Sequence, residues 1–200
     1  MRRITLAVLT MLLCLLCACG GKEKTVQAPM EFRTRLLQAG GCSCTLNAVE
    51  DFDGFVCEYS LDCGCRADGS TEVCVTAPES VAGILAATDG KTGKLSFDGM
   101  QVSFGVAEDA RLAPLSVPAT LINAWTGGYI ASSGKDGGLE CAVFELGYGD
   151  ETLKVYTWLT SDGLPERVEL ALGGKVLCRA EITDFRYDGG NNEAAETDLG

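Results

Sequence analysis

The chain has 200 residues, 28 acidic against 16 basic side chains, a formal net charge of −12 and no histidine. Without histidine, Ser-His-Asp and Cys-His nucleophile systems, HExxH zinc hydrolysis and imidazole ligation are excluded together. The acidic balance disfavours nucleic acid and anionic lipid surfaces as partners.

The N-terminus reads MRR and then ITLAVLTMLLCLL, a positive segment followed by an uncharged apolar one, which is the pattern of an export signal. That run is short for a bilayer span, and no later segment offers about 18 consecutive apolar residues. Leu16-Cys17-Ala18-Cys19, followed by two glycines, resembles the lipobox of bacterial lipoproteins. The resemblance implies cleavage before Cys19 and diacylglyceryl modification of its thiol. It also implies anchoring, with palmitate-type chains, at the extracytoplasmic face of the cell membrane. Residues 1–18 are then a lipoprotein signal peptide, and residues 19–28 are the lipidated cysteine and a polar tether. Loss of Arg2 and Arg3 takes the remainder to −14.

Pro29–Ala39 predicts a helix: proline suits a first turn, Phe32 and Leu36 make an apolar stripe, and Gly40-Gly41 ends it. Asp-Gly dipeptides then punctuate the chain, from Asp53-Gly54 and Asp68-Gly69 to Asp188-Gly189, with Gly173-Gly174 as a further tight turn. Asp-Gly between alternating runs signals hairpins, because type I′ turns need positive φ at both central residues. The runs between them, such as TEVCVTA, LECAVFELG and KVLCRAEITDF, are half apolar, as in an antiparallel sheet covered on one side. Pro114–Trp125 predicts a short second helix ending at Gly127-Gly128. Residues 189–200 are acidic and poor in apolar side chains, and are expected to be a disordered tail. The order of elements gives an α+β fold with helices on one face of a large antiparallel meander.

Cysteines concentrate in CSCTLNAVEDFDGFVCEYSLDCGC, Cys42–Cys65. A two-residue loop at Asp53-Gly54 sets Cys42 opposite Cys65 and Cys44 opposite Cys63, on one face of one hairpin. The same rule at Asp68-Gly69 sets Cys63 opposite Cys74. Facing residues lie about 4.5–5.5 Å apart at Cα, within disulfide range. Export permits oxidation, and eight cysteines follow Cys19. Candidate disulfides are therefore Cys42–Cys65, Cys44–Cys63 and Cys63–Cys74. Reduced core-facing thiols are the alternative. A four-thiolate metal site is a third, disfavoured because positions two apart on a strand converge poorly on a tetrahedral ion. A dithiol redox centre is disfavoured too, since the spacing is C-x-C on a strand and not C-x-x-C at a helix N-terminus.

Two segments carry a wider resemblance. TAPESVAGILAATDGKTGKLSFDGMQVSF has a proline-bearing bend, a strand, a turn and a strand. LKVYTWLTSDGLPERVELALGGKVLCRAEITDF has a strand, a DGLP turn, a strand, a Gly-Gly turn and a strand ending in TDF. Both resemble the LolA-like family of envelope lipoproteins and lipoprotein carriers, which includes sporulation and germination lipoproteins of Gram-positive bacteria. The resemblance implies a half-open β-barrel over residues 29–188, a strongly curved antiparallel sheet with one or two helices on its concave face. Some members bind acyl chains in the hollow and others bind a protein; no catalytic residue, cofactor or metal is implied. Phe32, Leu36, Trp125 and Trp158 are the candidate pocket residues. The expected function is a membrane-anchored, non-catalytic binding module of the cell envelope, holding a lipid or docking an envelope protein. The alternative is a structural adaptor in sporulation or cell-wall machinery. Glu140, Glu145, Glu166 and Glu169 sit on strand candidates without a pairing that fixes acid–base geometry.

Overall fold

Alternation of apolar and polar residues converts most of the described residues into strands. In the computed structural model, which describes residues 26–52, 54–89, 92–105, 114–149 and 152–189, eleven strands form one antiparallel sheet. The signal segment, Cys19, most of the tether and the acidic tail lie outside the described residues. Helix α1 spans Gln27–Ala39 and is followed by β1 (Gly41–Phe52), β2 (Phe55–Arg66), β3 (Thr71–Ala77), β4 (Leu85–Thr88), β5 (Thr92–Phe97) and β6 (Met100–Gly105). Helix α2 spans Val117–Gly127 and leads into β7 (Tyr129–Asp136), β8 (Leu139–Leu146), β9 (Leu153–Leu159), β10 (Pro165–Leu172) and β11 (Lys175–Tyr187). The order β6-β5-β4-β3-β2-β1-β11-β10-β9-β8-β7 leaves β6 and β7 as separate edges, so the sheet is open, as the half-open barrel expectation requires. No helix among the described residues is long and apolar enough to cross a membrane.

Both helices cover the same sheet face. Helix α1 starts two residues ahead of Pro29 and stops where Gly40 takes a left-handed conformation (φ +78°). Its buried side chains are Pro29, Phe32 and Leu36. Helix α2 buries seven of its eleven residues, Trp125 among them. On the sheet, the even positions of β1 and the odd positions of β2 turn inward: Cys42, Cys44, Leu46 and Ala48 against Tyr59, Leu61, Cys63 and Cys65. The inward phase of β11 is even up to Ile182 and odd after it. A bulge at Asp184, whose φ is +52°, makes the change and delivers Phe185 and Tyr187 to Phe32.

Two turns differ in kind. Phe52 faces Phe55, so the first hairpin has a two-residue loop and its cysteines pair as the dipeptide rule predicts: Cys42 with Cys65 and Cys44 with Cys63. The second does not follow that rule. The Arg66 amide donates to the Ser70 carbonyl at 2.8 Å, and Ala67-Asp68-Gly69 form a three-residue loop with Gly69 at φ +90°. One extra loop residue shifts the register by one. Val73 faces Cys63, and Cys74 faces Asp62 on the outer face of the sheet. The candidate Cys63–Cys74 disulfide is therefore overturned. The edge strand β7 was not predicted: only its first three residues, Tyr-Ile-Ala, carry a strand signal, and SSGKD follows.

Candidate binding site

Three of the four candidate pocket residues meet under the helices, and they fill the concavity. Phe32 and Leu36 are fully buried and Trp125 is 1% exposed. The Phe32 ring stands edge-on to Trp125, with centroids 5.4 Å apart and planes at 86°. Phe185 packs on both rings. The Trp125 indole donates from Nε1 to Thr157 Oγ1 at 3.0 Å, so its one polar atom is satisfied inside the core. Thr157 is thus an inward position of β9, and its neighbour Trp158 points to the other face. There Trp158 stacks with Tyr156, donates to Asp136 Oδ2 at 2.7 Å and lies 4.0 Å beneath the Arg167 guanidinium. Trp158 is accordingly corrected from a pocket residue to part of an outer-face cluster.

A partly buried arginine ties the two helices. Arg33 donates to the carbonyl oxygens of Ala124, Trp125 and Gly128 at the C-terminal end of α2, where the Ala124 carbonyl also accepts from the Gly128 amide. Burial lowers its pKa from the ordinary value, and the three carbonyls supply the compensation.

The cysteine block is buried in the same core. All eight cysteines of the described residues are free thiols. Thiol contact with Cys44, followed by burial, pushes Cys63 far above the ordinary thiol range, and contact with Cys42 does the same for Cys65. The Cys63 and Cys65 thiols are therefore poor nucleophiles at neutral pH. No group of three or more His, Cys, Asp or Glu among the described residues is arranged to hold a metal ion.

One polar cluster was not anticipated. Glu50 is 2% exposed, and both carboxylate oxygens lack a hydrogen-bond partner, as does the nearby Tyr59 hydroxyl. Burial pushes the Glu50 carboxyl up to about 7; Tyr59 and Cys178 pull the other way without closing a bond of normal geometry. Burial likewise pushes the Cys178 thiol up to about 12, with the Glu50 charge adding to it. The signal was present in the sequence: Glu50 shares the even, inward phase of β1 with Cys42, Cys44, Leu46 and Ala48.

Three of the four strand carboxylates singled out above make cross-strand ion pairs, Glu140 with Lys135, Glu145 with Lys154 and Glu169 with Arg179. Such pairs are sheet stabilisers and bring no two carboxylates together. A wide groove lies on the outer face. About 780 Å³ in volume, it crosses from β11 to β6, with Asp62, Glu72 and Asp184 facing Lys94 and Arg186 around Leu85.

An open eleven-stranded antiparallel sheet with two helices on one face is an α+β architecture. Among solved structures, the chain is similar to a LolA superfamily protein from Nitrosomonas europaea: 14% identity, 81% of this chain and 93% of that chain covered, TM-score 0.47. It is also similar to the lipoprotein LppX from Mycobacterium tuberculosis, at 13% identity over 80% of this chain and 98% of that chain, TM-score 0.39. A third is LprF from Mycobacterium bovis, at 12% identity over 81% and 94%, TM-score 0.38. No protein-family model and no curated protein matches the sequence.

Proposed function

We propose that the protein is a bacterial lipoprotein, anchored by acyl chains on Cys19, whose folded part is a non-catalytic binding module of the cell envelope. The observation that carries the binding mode is the filled concavity. Phe32, Leu36 and Trp125 occupy the space where an acyl chain would sit, and Trp125 is held there by Thr157. A module of this kind presents its outer surface to a protein, and the mixed-charge groove between β11 and β6 is the docking surface, suited to a polar, extended segment of an envelope protein. The adaptor reading, in sporulation or cell-wall machinery, describes the same surface and differs only in its partner. A lipid carrier would need a continuous apolar hollow of several hundred Å³.

Two measurements test this. Growth with a palmitate analogue should label the wild-type chain and leave Cys19→Ser unlabelled; equal labelling of both removes the anchor. Native mass spectrometry of the purified protein should show the polypeptide mass plus its covalent acyl groups. A stoichiometric non-covalent lipid would return the function to a carrier.

A further inference from the structure

Six of the twelve exposed large apolar side chains among the described residues gather at one end of the sheet, while others, such as Leu85 on β4 and Val102 on β6, stand on the strands. Antiparallel pairing fixes which strand ends share an edge of the sheet. Glu50 pairs with Cys178 near the start of β11, Leu172 with Lys175 and Leu153, Leu146 with Leu153, and Tyr129 with Glu145. The tips of the β1–β2, β8–β9 and β10–β11 connections and the start of β7 therefore lie along one rim. The β5–β6 turn, where Phe97 faces Met100, opens at the same end of the strands, level in register with Leu46. On this rim stand Phe55 (71% exposed), Val56, Phe97, Met100 (68%), Tyr129 (71%) and Tyr148 (97%). At the opposite rim the loops Arg66–Ser70, Thr160–Leu164 and Tyr187–Gly189 expose no large apolar residue; Leu37, near the end of α1, and Leu85 and Val102, level in register with Thr45 and Cys44, are the nearest to it.

The direction of α1 gives this asymmetry a meaning. Arg33 bonds to Gly128, next to Tyr129 at the apolar rim. Six residues later the helix ends beside the opposite rim, where the Ala67 amide donates to Gly40. The start of α1 therefore points toward the apolar rim, and Met30 in its first turn is itself 53% exposed. Cys19 precedes Gln27 by eight residues, which extend over at most about 28 Å. The rim spans ten strand spacings, roughly 48 Å along its curve.

We infer that this apolar rim is a membrane-contact surface that rests in the headgroup region of a lipid bilayer, with the open sheet standing upright on the side of its own anchor. The inference depends on the anchoring of Cys19 proposed above. Tyrosines and phenylalanines at loop tips suit the interface between headgroups and hydrocarbon. The lipid is zwitterionic: among the described residues the rim carries Asp51, Glu79, Asp98 and Glu145 against Lys154, which pairs with Glu145, and Lys175, on a chain of net charge −12, so anionic lipid gains nothing. This orientation leaves the groove between β11 and β6 on a side wall, open to a partner.

The test uses the full acylated chain in phosphatidylcholine vesicles whose acyl chains carry bromine, a short-range quencher of indole fluorescence. Phe97→Trp and Tyr148→Trp place a probe on the rim, and Leu37→Trp places one away from it. Trp125 and Trp158 are buried and give a constant background. The expected result is at least a twofold loss of the added signal at 97 and 148, less than a tenth at 37, and weaker quenching when phosphatidylglycerol replaces half the lipid. Protein that floats with the vesicles while 97 and 148 are quenched no more than 37 overturns the inference and leaves the anchor standing. Protein that fails to float removes the anchor. The same probes then report whether the rim binds on its own, and an unquenched rim overturns the inference again. A rim shielded from aqueous iodide but not reached by bromine would assign it to a protein or a second copy, and would also overturn it.

Discussion

A buried carboxylate with no partner makes stability depend on pH. Glu50 holds its proton more tightly folded than unfolded, with a folded value of about 7 against an ordinary 4.5. Its stabilising protonation is complete below the unfolded value and is lost as pH rises through the folded one. The wild type should therefore lose stability between pH 5 and pH 8, by an amount on the order of 2 kcal/mol at about 1.4 kcal/mol per pKa unit. Glu50→Gln should flatten that slope in urea titrations at the two pH values; an unchanged slope would place the proton elsewhere. Arg33 works in the opposite sense, because its charge is compensated by the three carbonyls at the end of α2. Arg33→Ala should cost about 1.5–3 kcal/mol, the range for hydrogen bonds to a charged group. Arg33→Lys should recover little of it, since an ammonium cannot reproduce the planar fork that spans several carbonyls. Chemical denaturation of the three proteins side by side reads both numbers.

Among the elements, the first hairpin was legible and the second was not. Asp53-Gly54 between two long alternating strands admits one register, and the cysteine pairs follow from it. ADGS at the second turn fits either a two-residue or a three-residue loop. The apolar phase of β3 decides: Val73 and Val75 must join Cys63 and Cys65 inside, which turns Cys74 out. Trp158 was misread for a related reason. Its size suggested a pocket, but the parity it shares with Tyr156 puts it on the outer face with Arg167. Glu50 carries a charge that reads as surface, and only its even position on β1 marks it as buried. The edge strand β7 carries too few apolar residues for its pattern to show. These registers predict thiol chemistry. Under reducing conditions a mild alkylating reagent should label the half-exposed Cys57 and Cys74 well before Cys42, Cys44, Cys63 and Cys65. If a disulfide-exchange reagent then oxidises the buried block, peptide mapping should find Cys42–Cys65 and Cys44–Cys63. Recovery of Cys63–Cys74 would contradict the three-residue loop.

The whole molecule is held together by its last strand. β11 lies between β1 and β10, so the first six strands and the last five share one continuous sheet through a strand made at the end of the chain. Cys42 faces Tyr187 across that seam, and Phe185 and Tyr187 complete the aromatic cluster on Phe32. Helix α2, which opens the second half of the chain, packs on β2 and β3 of the first half as well as on β8. Neither half can bury its own apolar face without the other, and pairing between such distant residues makes folding slow for a chain of this size. The full chain should therefore unfold in a single transition, with far-UV circular dichroism and tryptophan fluorescence coinciding. A chain ended after Gly174 keeps ten strands and both helices but loses the seam. It should show no cooperative transition and should expose its core to a hydrophobic dye. Two resolved transitions in the full chain, or a cooperative one in the truncated chain, would show that the halves fold separately and that β11 only joins them.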